Sequence, residues 1–318
     1  MFATWAHGAY DKRLCNTGSY TSHDKSMIYV PNAWNNDGSG FSCLEVRDSP
    51  PGFDATWMWS SGPGSVKSYP HVKLTDPTLP VPLSNISAFA LSAQWAMGPG
   101  STPRPVPSFD SSGLASLDVA ANTAFDIFAD RDADTSQKET EAETEIMIWL
   151  GKIGWAQPLG YGTNGSSHAR VTVGYTQFTL YYGMNQRGTA VFTWVAGSNQ
   201  TSFAGDVSPL LHYLWQNGFV SPASHVGVVG FGSETFHAAG NVTFSSLRYQ
   251  VQVLPGPAPT PGLGQNSSAC ACTPSSAESS EAPLEAPPKA SLASNTHAAW
   301  LAGLSIISSV GASLVLLF

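Results

Sequence analysis

Two short stretches of this chain each place a glutamate among apolar and aromatic residues, where an unpaired charge is costly. The first reads Thr-Glu-Ile-Met-Ile-Trp-Leu-Gly around Glu145, and the second reads Phe-Gly-Ser-Glu-Thr-Phe around Glu234. Alternate side chains of a strand share a face, so Glu145 would lie on one face with Met147 and Trp149. One ionised carboxylate and one carboxyl that its surroundings keep protonated are the groups that hydrolyse a glycosidic bond. The pattern leaves an alternative open, in which one glutamate is a capped or edge carboxylate and the other a loop residue.

The elements that would position these residues are mostly short strands. Alternating apolar runs recur between turn signals throughout residues 12–254, which favours an all-β fold, an antiparallel sandwich or jelly roll. One short helix is predicted, with Ser208 as its cap, Pro209 in its first turn and Gly218 after its end. The runs that predict strands begin at Ala55, Ala88, Thr123, Val171, Gln177, Ala190 and Asn241.

The composition excludes several classes of partner. Only 11% of the residues are charged and the net charge is −8, with no cluster of Lys and Arg, so we expect no nucleic-acid partner. The eight histidines are scattered and no CxxC spacing occurs, so we expect no metal site and no other cofactor.

The cysteines and the glycosylation sequons indicate the secretory route. Cys15 and Cys43 are 28 residues apart near the start of the domain, and we expect them to form a disulfide in an oxidising compartment. Cys270 and Cys272 lie in a low-complexity stretch, where we expect no structural role. The five Asn-x-Ser/Thr sequons start at Asn85, Asn164, Asn199, Asn241 and Asn266. We therefore expect an extracellular glycoprotein.

The chain divides into four zones. Residues 1–11 are unassigned and lack the basic start and long apolar run of a secretory signal, which we interpret as a missing first exon. Residues 12–254 form the predicted catalytic domain, and residues 255–297, rich in Pro, Ser and Ala, a disordered stalk. Residues 298–318 form an uncharged apolar tail. Small residues and a short spacer precede that tail, which is typical of a glycosylphosphatidylinositol (GPI) anchor signal; a transmembrane helix is the alternative.

Further segments extend the two glutamate motifs, in order, along most of the domain. These segments are Asn32-Ala-Trp34, Gly40-Phe-Ser-Cys43, Trp57-Met-Trp59-Ser, Val66-Lys-Ser-Tyr69-Pro, Ala124-Phe-Asp126-Ile-Phe, Glu145-Ile-Met-Ile-Trp149-Leu-Gly and Phe231-Gly-Ser-Glu234-Thr-Phe. Together they resemble glycoside hydrolase family 12, the small endo-β-1,4-glucanases that include xyloglucan-specific members. Three positions depart from the family pattern: Ser233 and Thr235 stand beside the second glutamate where Thr and Pro are usual, and Ala33 replaces Leu.

The resemblance implies a fold and a retaining mechanism. The fold is a concanavalin A-like jelly roll of two antiparallel sheets with an open cleft. Glu145 would attack the anomeric carbon, and Glu234 would protonate the leaving oxygen and then activate water, with the two carboxyls about 5–5.5 Å apart. Asp126 would lie beside Glu145 as its partner; the alternative is a half-exposed strand residue.

The substrate-binding residues implied by the resemblance include two tryptophans. Trp34 and Trp149 are the predicted sugar platforms, because a flat ring covers the apolar face of a pyranose. Asn32 and Met147 would bind substrate beside them.

Three functions remain open at this point. The first is a secreted endo-β-1,4-glucanase acting on cellulose or mixed-linkage glucan, working as a monomer and held at the cell surface or wall by its anchor. The second is a xyloglucan-specific form of the same enzyme, which differs in the room at the cleft. The third, a non-catalytic carbohydrate-binding wall protein, is disfavoured because both glutamates are present.

Overall fold

The computed structural model describes residues 10–62, 64–101, 106–162 and 169–258 of the chain. The predicted stalk beyond residue 258 and the apolar tail, with Cys270, Cys272 and the anchor signal, lie outside these residues. None of the helices in the described ranges is long and apolar enough to cross a membrane.

The described residues are mainly strands, as the alternating runs predicted. The strands are β1 (Lys12–Cys15), β2 (Tyr20–Thr21), β3 (Met27–Val30), β4 (Gly40–Asp48), β5 (Pro51–Trp59), β6 (His71–Leu74), β7 (Val81–Pro82), β8 (Ile86–Pro99), β9 (Ala120–Asp130), β10 (Thr144–Ile153), β11 (Arg170–Val173), β12 (Thr176–Met184), β13 (Ala190–Ala196), β14 (Ser202–Asp206), β15 (His225–Gly232) and β16 (Thr235–Pro255). Two short 3₁₀ turns, Leu83–Asn85 and Thr135–Gln137, accompany them.

The strands form two sheets. A six-stranded sheet has the order β1-β4-β5-β16-β8-β14. The other sheet has nine strands in the order β2-β3-β6-β15-β9-β10-β13-β12-β11, and the two-residue β7 adds to it by pairing with the start of β15. Pairing is antiparallel except between β10 and β13, which are parallel. The all-β sandwich prediction is confirmed.

The core lies between the sheets because each strand buries alternate apolar side chains there. Its largest fully buried side chains are Trp57, Trp59, Trp194, Tyr29, Phe53, Phe89, Phe125, Phe178, Phe231 and Phe244. The opposite face of the nine-stranded sheet, which we call the site face, carries the polar residues discussed below. Cys15 and Cys43 pair directly in the β1–β4 ladder and form the predicted disulfide.

The described residues contain two helices rather than the one predicted: α1 (Ser111–Ser116) and α2 (Ser208–Gln216). The sequence pattern missed α1 because its six residues include a glycine and bury a single leucine. The second helix is the predicted one, and Gly218 follows its end with a φ of 74°. Its predicted cap was wrong: Ser208 is the first helical residue, and its N–H donates to the carboxylate of Asp206 at 3.0 Å.

Candidate active site

Glu145 lies on the site face of β10, at the start of the strand. Ile146, Ile148 and Leu150 point into the core with no exposed surface, so the period-2 prediction for this strand is confirmed. Glu145 pairs in register with residues of both β9 and β13. The carboxyl is thus positioned on a strand that neighbours fix on either side.

Glu234 lies at a break in the strand rather than within one, in contrast to the strand-like pattern of its segment. β15 ends at Gly232 and β16 begins at Thr235, so Glu234 lies in a two-residue gap, on either side of which the chain pairs with β9 in one register. The flanking residues hold this gap: the Ser233 hydroxyl donates to the carbonyl of Asn122 at 2.6 Å, and the Thr235 N–H donates to the carbonyl of Ser68 at 2.9 Å. A proline at position 235 has no N–H and could not make the second bond. The two departures from the family pattern therefore have local structural roles.

Asn122 clamps Glu234 from the neighbouring strand β9. Its side-chain amide donates to Glu234 Oε2 at 2.5 Å, and its Oδ1 accepts the Glu234 N–H at 2.8 Å. Asn122 is fully buried, so water does not compete for these bonds. Sequence reasoning missed this residue, although the alternation Asn122, Ala124, Asp126 on one strand would have placed it on the site face.

Asp126 lies on β9 directly opposite Met147 of β10, and interaction with its carboxyl lowers the pKa of Glu145. Burial, followed by the charges of Glu145 and Glu234, raises the pKa of Asp126 well above its usual range. Asp126 therefore holds its proton to a higher pH than an ordinary carboxyl does. It is 5% exposed, so the alternative of a half-exposed strand residue is not what the structure shows.

Burial also raises the pKa values of both glutamates. It raises the pKa of Glu145 to about 7, against the lowering effects of the Arg187 charge and the neighbouring Asp126 carboxyl. Burial and the charge of Glu145 raise the pKa of Glu234 to about 8, although the Asn122 hydrogen bond lowers it. Glu234 therefore holds its proton more strongly than Glu145, which suits an acid and a nucleophile respectively.

The four predicted substrate-binding residues differ in how they meet solvent. Trp34 is 63% exposed, whereas Trp149 and Met147 are 2% and 4% exposed and pack in a small cluster with Ala124, Ala156 and Val191. Asn32 has a φ of 42°, a conformation that asparagine tolerates, and its carbonyl accepts the Tyr69 N–H at 3.0 Å. The ring of Trp34 is thus exposed, while that of Trp149 is covered.

Tyr69 is a second residue that sequence reasoning did not place in the site. Its hydroxyl donates to the carbonyl of Ala124 at 3.2 Å, and its ring stacks on His71 with the ring centres 4.5 Å apart. Burial and the nearby charge of Asp126 raise the pKa of Tyr69 well above its usual range. Tyr69 therefore links the segment of Asn32 to the strand that carries Asn122 and Asp126.

The site consists of carboxyl, amide and aromatic groups. Within the described ranges, no group of three or more His, Cys, Asp or Glu side chains is arranged to hold a metal ion.

Comparison with known proteins gives a family and a fold. The family model described as glycosyl hydrolase family 12 matches residues 27–253. Xyloglucan-specific endo-beta-1,4-glucanase A of Emericella nidulans is 31% identical over 234 residues, which cover 72% of this chain and 86% of that protein. Endoglucanase A of Aspergillus kawachii is 30% identical over 255 residues, covering 77% and 93%. The crystal structure of Trichoderma harzianum endoglucanase 3 superposes with a TM-score of 0.62 at 26% identity, covering 78% of this chain and all of that one.

Proposed function

This chain belongs to glycosyl hydrolase family 12 and is a glycoside hydrolase, and from that premise we propose that it is a retaining endo-β-1,4-glucanase with Glu145 as nucleophile and Glu234 as acid/base. Its substrates are β-1,4-linked glucan chains, cellulose or mixed-linkage glucan. The family membership supports the reaction class, and the geometry of the site supports the roles of the two residues.

The proposed reaction is a double displacement. Glu145 attacks the anomeric carbon while Glu234 protonates the departing glycosidic oxygen, which breaks the C–O bond and leaves a glycosyl-enzyme ester. Glu234, now ionised, takes a proton from water, and the resulting attack on the anomeric carbon releases Glu145. The neighbouring Asp126 carboxyl lowers the pKa of Glu145, which favours its ionised form before attack and after release.

The observation that carries this assignment is the contrast between the partners of the two carboxyls. Glu145 lies beside the buried carboxyl of Asp126, which lowers the pKa of Glu145, while Glu234 is desolvated and held in orientation by Asn122. Two carboxyls whose surroundings separate their proton affinities are the arrangement that acid and nucleophile require.

The first test replaces each carboxyl by its amide. We expect Glu145→Gln and Glu234→Gln each to lower kcat by several orders of magnitude while the fold is kept, since acid–base help alone contributes about 10²–10⁴-fold. Glu143→Gln is the matched control, because Glu143 lies just before β10 and is exposed. Near-normal turnover in either amide variant would reject the role given to that residue. If both variants kept wild-type sugar binding and wild-type lacked turnover, the non-catalytic binding protein would be the better description.

The second test is stereochemical. Proton NMR of the first-formed product distinguishes the β-anomer, which two displacements produce, from the α-anomer, which a single displacement produces. An initial α-anomer would reject Glu145 as nucleophile.

A xyloglucan-specific activity is the second candidate, favoured by the relative of that name from Emericella nidulans. The discriminating assay measures reducing-sugar release from carboxymethylcellulose, mixed-linkage β-glucan and xyloglucan side by side. Release from xyloglucan alone would replace the first candidate by the second.

We further propose that the enzyme is an extracellular monomer with a GPI anchor. The disulfide supports an oxidising compartment, while the anchor rests on the sequence of the tail, which lies outside the described residues. Treating intact cells with a phosphatidylinositol-specific phospholipase should release a soluble, active enzyme. An intact tail peptide in the mature protein, found by mass spectrometry, would instead establish a transmembrane helix. The molar mass of the released enzyme, measured by light scattering, tests whether it is a monomer.

A further inference from the structure

A charged cluster of His71, Lys73 and Glu139 lies beside the catalytic carboxyls and is not used by the mechanism above. Val72 and Leu74 of β6 are buried in the core, so His71 and Lys73, which alternate with them, face the site. β15 alone separates β6 from β9. Since neighbouring strands are about 4.8 Å apart, the backbone of Lys73 lies about 10 Å from that of Asp126.

The strand between this cluster and the carboxyls has glycines on the site face. In register, Lys73 is opposite Gly230, which is opposite Asp126; His71 is opposite Gly232, which is opposite Ala124. A Cβ at Gly230 would come within 3.3 Å of the His71 ring, with the Tyr69 hydroxyl 3.6 Å away, so even an alanine would crowd these rings. The glycines therefore make room for the rings of His71 and Tyr69 between Lys73 and the carboxyls.

Glu139 reaches the cluster from the connection between β9 and β10. Its Oε1 lies 3.0 Å from Lys73 Nζ and 3.5 Å from His71 Nε2. His71 is fixed from its other side, since its Nδ1–H donates to the carbonyl of Tyr69 at 2.6 Å. The Lys73 and Glu139 side chains remain 30% and 22% exposed, so both groups reach the surface of the site.

The carboxylate of Glu139 stays ionised, in contrast to the carboxyls of Asp126 and Glu145, whose pKa values are raised. Burial raises its pKa, but the hydrogen bond and charge of His71 and the charge of Lys73 outweigh burial and lower the pKa to about 2. Its charge in turn raises the pKa values of Asp126 and Glu145, so it acts on the same site.

We propose that Lys73 and Glu139 form a polar sugar-binding site that holds the hydroxyl groups of a glucan unit beside the reacting one. The exposed indole of Trp34 lies on the same flank, because β3 pairs with β6 and the Asn32 carbonyl is bonded to Tyr69. A pyranose has an apolar face and a hydroxyl edge; along a glucan chain the indole would cover the apolar face of one unit, and the charged pair would bind the hydroxyl edge of another.

The chemistry of the pair suits hydroxyl recognition better than stability. An ammonium has three donors and a carboxylate about four acceptor sites, so their single mutual contact leaves most of this capacity for a ligand. Hydrogen bonds from ionised groups are roughly twice as strong as neutral ones. A partly exposed ion pair contributes only about 0–1 kcal/mol to folding.

The inference rests on the proposed glucanase activity, and variants of the pair test it. In Lys73→Met and Glu139→Gln we expect KM for mixed-linkage β-glucan to rise about tenfold, since a bond to bound substrate is lost in ground and transition states alike. Because the Glu139 charge also raises the pKa values of Asp126 and Glu145, kcat is compared at the plateau of each variant's pH profile, where it should stay within about threefold. The matched control is the ion pair between Lys138 and Glu141, whose Nζ–Oε2 distance is 2.9 Å but whose side chains are both exposed to solvent. Lys138→Met and Glu141→Gln should leave KM unchanged.

Binding measured without turnover separates this inference from the mechanism. Calorimetric titration of cellohexaose into Glu145→Gln, with and without Glu139→Gln, should show weaker binding in the double variant. Glu139→Gln keeps the shape of the side chain and supplies the result if Lys73→Met does not fold. Equal affinity in the two titrations, or a lower Tm with unchanged KM, would overturn the binding site and leave a purely structural ion pair. An inactive wild-type enzyme would refute the proposed function instead.

Discussion

Replacing Asn122 by alanine tests whether one buried amide sets the proton affinity of the catalytic acid. The wild-type side chain donates to Glu234 Oε2 at 2.5 Å and accepts the Glu234 N–H at 2.8 Å. The first of these bonds favours the ionised carboxylate, so its loss raises the pKa of Glu234 above its wild-type value of about 8.

The size of the effect follows from the strength of that bond. A hydrogen bond to a charged group contributes about 1.5–3 kcal/mol, and 1.36 kcal/mol corresponds to one pKa unit, so the expected rise is about 1–2 units. Water that enters the space left by the side chain replaces part of the bond, which favours the lower end of this range. The loss of orientation at Glu234 should also lower kcat, by less than removal of the acid itself would.

The assay is the pH dependence of kcat/KM. Turnover requires a protonated Glu234, so the alkaline limb of the profile follows its ionisation and should move to higher pH in Asn122→Ala. Because the carboxyls of the site titrate together, the pH of this limb is not the pKa of Glu234 alone. The quantity to compare is therefore the shift of the limb between wild type and variant. Thr123→Val is the control, because Thr123 is equally buried on the same strand and its hydroxyl has no partner among the described residues. An alkaline limb that stays in place or moves to lower pH would refute the reasoning.

Three further perturbations address the platform, the disulfide and the buried acid. Trp34→Ala should weaken glucan binding by about 1–3 kcal/mol, by analogy with base stacking, and leave Tm unchanged. Trp149→Ala should instead lower the free energy of unfolding by about 3–5 kcal/mol. Calorimetric titration measures the first effect and thermal melts the second, and the reverse pattern would exchange the roles of the two residues. Replacing Cys15 and Cys43 by serine should cost about 3–4 kcal/mol for a 28-residue loop, measured by denaturant unfolding, and an unchanged midpoint would contradict it. The raised pKa of Glu234 stabilises the fold below its ordinary value near 4.5, and this contribution is lost as pH rises through about 8. Glu234→Gln should therefore show a smaller fall in Tm between acidic and alkaline buffer, and an identical fall would contradict the shift.

The parts of the site that lie on one strand could be predicted from the sequence. On β10 the alternation of Glu145 with core isoleucines fixes the face of the carboxyl, and the structure agrees. The same rule applied to β9 would have added Asn122 to Asp126. The two-residue periodicity of a strand is enough to place these side chains, because the two faces of the strand differ in polarity.

The parts that depend on contacts between distant segments could not be predicted in this way. The position of Glu234 is fixed by bonds from Ser233 and Thr235 to Asn122 and Ser68, which are remote in sequence. The approach of Glu139 to Lys73 likewise depends on how the β9–β10 connection folds over β15. The solvent exposure of the tryptophans could not be predicted either. Trp34 and Trp149 both lie in segments that resemble the family, and only the packing around each ring decides which one is exposed.

The burial that makes this site reactive also makes it costly to the fold. Asp126, Glu145 and Glu234 all have raised pKa values, and desolvation is the largest cause for each. Raised carboxyl pKa values mean that folding becomes less favourable as pH rises through them, so the site destabilises the protein in the neutral to alkaline range where its groups ionise. The sandwich core and the disulfide must offset this cost. The difference between nucleophile and acid then depends on two neighbouring side chains, because Asp126 lowers the pKa of Glu145 and Asn122 lowers that of Glu234. Removing Asp126 alone should bring the two proton affinities together, which reduces the share of molecules with Glu145 ionised and Glu234 protonated, the one state that reacts.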